Sequence, residues 1–153
     1  MGLLKNRWTI GISIVVIAVS FVVWQLGQFA RDTGLSQWYE GPAGYLQAVK
    51  QQQQTNQPMV VFFYTDWCES CEQLRVDILS SEPFKAFSNN LLPVKINPEY
   101  GPTEQALADS FGVFGYPSFY IIRNNTAEPV RIKKTNRISP ELFIQQCQQV
   151  IES

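Results

Sequence analysis

Cys68 and Cys71 stand three residues apart in the stretch Trp67-Cys68-Glu69-Ser70-Cys71. An apolar run, Met59-Val60-Val61-Phe62-Phe63-Tyr64, precedes them, and a helical pattern follows. Two thiols at that spacing, where a strand gives way to a helix, can trade a disulfide for a dithiol. Little else in the chain could do chemistry. Its 153 residues include no histidine, which removes Cys–His and Ser–His nucleophile pairs and histidine metal ligands. Three cysteines are too few for a disulfide-stapled scaffold, and zinc would need a carboxylate as its fourth ligand. A formal net charge of -1 offers no basic footprint for nucleic acid. There is no haem motif, phosphate loop or calcium loop, so no cofactor is expected.

The two cysteines are not equivalent. A helix opening near Cys68 presents unpaired N–H groups and a positive dipole end, which lower the thiol's pKa from about 8.5. Cys71 falls one turn inside that helix, on the face of Leu74 and Ile78, where burial keeps it protonated. Cys68 is therefore the expected attacking thiol and Cys71 the resolving one. Asp66 and Glu69 are negative charges beside Cys68 and oppose its ionisation. A less stabilised thiolate makes the dithiol less stable relative to the disulfide, so the pair should be reducing. A purely structural disulfide is the competing reading, but so small a loop stabilises little.

These elements follow an apolar N-terminus. No residue from 8 to 26 is charged, and Trp8 and Trp24 stand near the two ends. As a helix, residues 8–29 reach roughly 30 Å, enough to cross a bilayer. A cleaved signal peptide is the alternative. Its small-residue sites are poor, because the apolar run continues past Ala18-Val19-Ser20 and Gln28-Phe29-Ala30 has a large first residue. Lys5 and Arg7 precede the span, which keeps residues 1–7 cytoplasmic and sends the remainder outward, to periplasm, cell exterior or organelle lumen.

Residues 30–41 read as a polar linker and 42–153 as a folded domain. Pro42 opens a helix with Tyr45, Leu46 and Val49 on its apolar side, and Gln51 to Gln54 read as its solvated end. Residues 59–65 and 91–97 read as strands, 82–89 as a short helix, and 103–111 as a helix capped by Thr103. Residues 118–123 and 130–134 read as a closing pair of strands around an Asn124-Asn125 turn. Ser139-Pro140-Glu141 opens a final helix. On that helix Phe143, Cys147, Val150 and Ile151 share a face, so Cys147 reads as a buried free thiol, with a redox or intermolecular role as the alternative. The order α, β, α, β, α, β, β, α gives an α/β fold, a mixed central sheet flanked by helices.

Phe63-Tyr64-Thr65-Asp66-Trp67-Cys68-Glu69-Ser70-Cys71 resembles the active-site segment of the thioredoxin superfamily. Phe111-Gly112-Val113-Phe114-Gly115-Tyr116-Pro117-Ser118-Phe119 resembles the segment that carries that superfamily's cis-proline. Residues 77–95 resemble the C-terminal domain of transmembrane thiol:disulfide interchange proteins. Membrane-tethered thioredoxin-like proteins of the bacterial envelope or thylakoid lumen are similar too. The resemblance covers about residues 42 to 152 and implies a thioredoxin fold behind the N-terminal span. It also implies a redox-active Cys68–Cys71 disulfide, with Pro117 as a cis-proline beside it. Trp67 and Tyr116 would shape the surface that meets substrate, Tyr116 through its backbone. Two positions depart from the pattern. Phe62 stands where many thioredoxins have a buried carboxylate, and Glu-Ser replaces Gly-Pro between the cysteines. Lys95 matches a lysine common on the neighbouring strand, and with the family's carboxylate missing the resemblance leaves Asp66, Glu69 and Lys95 as the candidates for proton transfer.

Together these features lead to the expectation of a membrane-anchored thiol:disulfide oxidoreductase outside the cytoplasm, acting as a reductase on protein disulfides. Cytosolic reductases could not recharge it there, so a transmembrane electron donor such as a thiol:disulfide interchange protein is implied. Two alternatives remain: an oxidase or isomerase, and a binding module in which exchange is incidental.

Overall fold

The computed structural model describes residues 16–21, 35, 37–124, 126, 128–133 and 137–153. The chain divides into two compact units, Met1–Asp32 and Thr33–Ser153. In the first, residues 16–21 are helical, with Val16, Ile17, Val19 and Phe21 exposed. The rest of the span expected over residues 8–29 lies outside the described residues. Among the described residues no helix is long and apolar enough to cross a membrane.

The second unit is built on a five-stranded mixed sheet. In chain order it comprises β1 (Tyr39–Glu40), α1 (Gly41–Thr55), β2 (Met59–Phe63), α2 (Glu69–Leu74), a π-helical turn (Arg75–Leu79), α3 (Glu82–Ser88), β3 (Leu92–Ile96), a 3-10 turn (Pro98–Tyr100), α4 (Pro102–Ser110), β4 (Ser118–Ile122), β5 (Pro129–Arg131) and α5 (Pro140–Glu152). The strand order is β1-β3-β2-β4-β5. β1, β3 and β2 run parallel, and β4 and β5 run antiparallel to their neighbours.

Every residue of β2 is buried, as a strand covered on both faces must be. Its side chains alternate between two apolar layers. Val60 and Phe62 join Phe119 and Ile121 of β4 under Leu74, Ile78, Phe84 and Phe143 of the helices. Met59, Val61 and Phe63 join Val94, Ile96 and Tyr120 against Ala48 and Ala108. Cys71 and Cys147 both lie in the first layer. The π-helical turn carries one extra residue per turn, so Leu74, Ile78 and Leu79 all point inward while Val76 stays outside.

Several local expectations change. The segment read as a linker supplies β1, because Tyr39 and Glu40 add in register to Val94 and Lys95. α4 begins at Pro102 after Gly101, so Thr103 is its second residue and not its cap. The last strand is Pro129–Arg131, earlier and shorter than read, and Lys134 lies outside the described residues. Within the glutamine run, Gln52 donates to the carbonyls of Ile122 and Arg123, and Gln51 accepts from the Tyr39 hydroxyl. Those two are structural ties, not a solvated end. Ser139 does cap α5, accepting from the Leu142 amide at 3.3 Å.

Gly44 is what lets β1 lie against α1. A Cβ there would stand 2.9 Å from the Tyr39 carbonyl carbon and 3.1 Å from its Cβ. Helix propensity alone would make Gly44→Ala stabilising by about 1 kcal/mol. The contact with fixed backbone reverses that sign. Urea denaturation should show Gly44→Ala destabilised by about 1 to 2 kcal/mol, within the range of overpacked sites.

Candidate active site

β2 ends at Phe63, and the chain then turns over the sheet's rim. Cys68 is the N-cap of α2: its φ, ψ of -79°, 96° are extended, and its Sγ accepts the Cys71 amide at 3.2 Å. The cap is the turning point of the chain, so the first sulfur sits where strand-exit loop and helix meet. Cys68 and Cys71 are joined as a disulfide, with 5.2 Å between their Cα atoms. The Ser70 hydroxyl lies 3.5 Å from Cys68 Sγ.

Exposure hardly separates the two sulfurs. Cys68 is 6 % exposed and Cys71 4 %. Position separates them instead. Cys68 borders an outer groove of about 320 Å³ together with Trp67, Glu69, Gln73 and Tyr116. Cys71 does not reach that groove. It borders an inner cavity of about 260 Å³, open to solvent beside the exposed Asp66 and Glu72, which it shares with Cys68, Thr65 and Lys95. A partner sulfur can approach Cys68 from the groove, while Cys71 waits behind it.

The sequence candidates fall into three places. Trp67, Glu69 and Tyr116 line the outer groove, with the Trp67 and Tyr116 rings edge to face at 6.3 Å. Asp66 and Lys95 line the inner cavity, so Glu69, first residue of α2, does not share Cys71's surroundings. Pro117 follows a cis peptide bond with Tyr116 and is buried at the entrance to β4. β4 is antiparallel to β2 with Ser118 opposite Phe63, which brings Pro117 to the rim where the cysteine loop begins.

The sequence reading missed a pair of ties that hold this loop. The Trp67 indole donates to Glu99 Oε1 at 2.8 Å, and the Tyr100 hydroxyl donates to the Asp66 carboxylate at 3.2 and 3.3 Å. Both partners sit in the 3-10 turn after β3. Parallel neighbours end at the same rim, so the loop after β3 had to meet the loop after β2. That topological rule was the available signal. Trp67 and Phe114 remain exposed on this rim. The phenol of Tyr64, beneath it, is raised far above its ordinary pKa, first by burial, then by Tyr100, Glu40 and Asp66.

Cys147 packs in the same layer but is fully buried and unpaired, as its helix face implied. Burial pushes its thiol from about 9 up to about 12. Because the folded state holds this proton more tightly, its contribution to stability is complete below pH 9 and is lost on rising through 12. Between those limits the native chain should lose stability faster with pH than Cys147→Ala, by up to about 1.4 kcal/mol per unit. Urea midpoints measured across that window for both chains check it.

Residues 37–123 match the thioredoxin-like family. Over 62 residues the chain is 40 % identical to the chloroplastic thioredoxin-like protein HCF164 of Arabidopsis thaliana, a stretch covering 40 % of this chain and 23 % of that protein. The protein of the same name from Oryza sativa subsp. japonica is also 40 % identical over 62 residues, 22 % of its length. The match thus spans under a quarter of these curated relatives. Among solved structures, a DsbH oxidoreductase superposes with a TM-score of 0.64 at 23 % identity, over 76 % of this chain and 84 % of that one. The oxidised C-terminal domain of Neisseria meningitidis DsbD gives 0.55 at 22 %, over 71 % and 96 %. These two share the fold. The family match runs from before β1 to just past β4 and so takes in the disulfide, the cis-proline and more than half of the residues: the chain belongs to the thioredoxin-like family.

Proposed function

We propose that the chain is a membrane-anchored thiol:disulfide oxidoreductase facing an extracytoplasmic compartment, and that it works as a reductase of protein disulfides. The observation that carries the exchange chemistry is the Cys68–Cys71 disulfide, with Cys68 on an open groove and Cys71 behind it. A reduced Cys68 would attack a partner disulfide, and Cys71 would then displace the partner and regenerate the bond seen here.

Charge supports the direction. Glu69 and Glu72 occupy the first turn of α2, and no lysine or arginine borders the outer groove. Glu99 approaches through its bond to Trp67. A Cys68 thiolate would gain the Cys71 amide but face these carboxylates, which favours the disulfide over the dithiol and makes the pair a reductant. A transmembrane electron donor of the thiol:disulfide interchange kind would recharge it. The anchor rests on the uncharged stretch from 8 to 26 and on the basic residues before it.

Equilibrating the full chain in detergent micelles against dithiothreitol buffers should give a reduction potential below roughly −200 mV. A value near about −120 mV would make the protein an oxidant instead. In cells, the full-length chain should stay with membranes after an alkaline carbonate wash. Release of a form shortened by the first two to three dozen residues would show a cleaved signal peptide.

A further inference from the structure

A partner sulfur that reaches Cys68 through the outer groove brings its neighbouring residues against the groove's walls. Two of those walls are aromatic. Trp67 is 70 % exposed, and its ring meets that of Tyr116 edge to face at 6.3 Å, with 78° between the ring planes. The two rings form an open corner beside Cys68. The Trp67 indole N–H is already spent on Glu99 Oε1 at 2.8 Å. The ring is thereby held, and what it has left to offer a partner is its face.

Carboxylates stand around that corner. Glu69, the first residue of α2, lines the groove with Ser70 and Gln73. Glu99 sits at the edge of the indole it binds. The Tyr116 phenol is raised first by burial and then by the charges of Glu99 and Asp109, so both acids are felt at the ring that faces Trp67. Glu69, Glu99 and Asp109 are exposed, and none of them is in an ion pair among the described residues. Arg75 and Lys95, which line the inner cavity, are engaged with Glu72 and Glu40. No lysine or arginine lines the outer groove.

An aromatic face with carboxylates at its edge and no cation of its own is suited to receive one. At about 320 Å³ the groove has room for a long side chain. We infer that the outer groove takes a lysine or arginine that flanks the partner's cysteine, laid against the Trp67 ring with Glu69 and Glu99 as its counter-charges. Glu99 acts twice, as a charge and as the group that holds the indole. The same carboxylates disfavour a partner with acids beside its cysteine. The inference rests on the disulfide exchange proposed for Cys68. It holds for either direction of electron flow, because both pass through a mixed disulfide between Cys68 and the partner.

The test uses short peptides with a single cysteine, flanked on both sides by lysine, glutamine or glutamate. Each is prepared as its mixed disulfide with thionitrobenzoate and mixed with the reduced full chain in uncharged detergent micelles. The Cys68 thiolate bonds to the peptide sulfur, and thionitrobenzoate leaves as a coloured thiolate with the electrons of the broken bond. Cys71 then gives its proton to solvent, bonds to Cys68 and releases the peptide as a thiolate. The dithiol is oxidised by two electrons and the mixed disulfide reduced. Each rate is divided by that of the same peptide with dithiothreitol, which removes the peptide's own reactivity. The lysine peptide should then react roughly three- to tenfold faster than the glutamine peptide, as an exposed cation–π contact and a surface ion pair allow. The glutamate peptide should be slower than both, and the differences should shrink in about 0.5 M salt. Glu99→Gln keeps an oxygen for the indole N–H, so its effect reports charge. It, Glu69→Gln and Trp67→Leu should each lower the lysine-to-glutamine ratio, from which any change in Cys68 itself cancels. Equal normalised rates for the lysine and glutamine peptides overturn the inference, as does a ratio kept in full when Glu69 and Glu99 are both replaced by glutamine. No release from any peptide would sink the exchange chemistry and this inference with it, whereas release without preference sinks this inference alone.

Discussion

The site depends on one constraint: β2 is sealed on both faces. Slipping it by one residue would swap Val60 and Phe62 for Met59, Val61 and Phe63 between two layers of different shape. The register is therefore fixed, and with it the point where the chain leaves the sheet. β3 on one side and β4 on the other are tied to that point, with Phe63 opposite Ile96 and Ser118. Three segments far apart in sequence are thereby delivered to one rim. They are the cysteine loop after Phe63, the turn bearing Glu99 and Tyr100 after Ile96, and the cis Tyr116–Pro117 bond before Ser118. The chemistry is carried by loops, and their relative positions are set by strands that take no part in it.

This arrangement also gives two cysteines of nearly equal burial different surroundings. A cap residue faces both ways, toward the loop it ends and the helix it begins. Cys68 thus borders groove and cavity together, while Cys71, one turn on, has the cavity alone. The ties from Trp67 to Glu99 and from Tyr100 to Asp66 cross between the two loops and engage both acids through neutral donors. Both carboxylates are thereby held at the rim by neutral partners, close to the first cysteine.

What the sequence showed is what local periodicity and capping can show. The apolar run of β2, the Cys71, Leu74 and Ile78 face, the Ser139 cap and the burial of Cys147 all follow from neighbours within two turns. What it hid is non-local. β1 is two residues long, too short for any alternation to be seen. The close approach at Gly44 exists only because β1 folds back on α1. Gln51 and Gln52 look like solvated residues until Tyr39 and the end of β4 are placed beside them. Glu99 and Tyr100 carry no motif, and only the parallel pairing of β2 with β3 brings them to the site.

The row of register partners Glu40, Lys95 and Phe62 shows why so short a strand matters. Lys95 is paired by a register neighbour on the same face, with Glu40 Oε2 3.4 Å from its Nζ. Phe62 cannot be that neighbour without dismantling the core. Its ring stacks on Tyr64 at 5.5 Å and meets Trp38 and Phe119 at 6.5 and 6.3 Å. The carboxylate comes from the other side of β3, from β1. Trp38 anchors that strand by packing on Phe62 and Phe84 just before Tyr39. The aromatic residue that fills the carboxylate's place on β2 is thus part of what fixes the strand that supplies a carboxylate from β1.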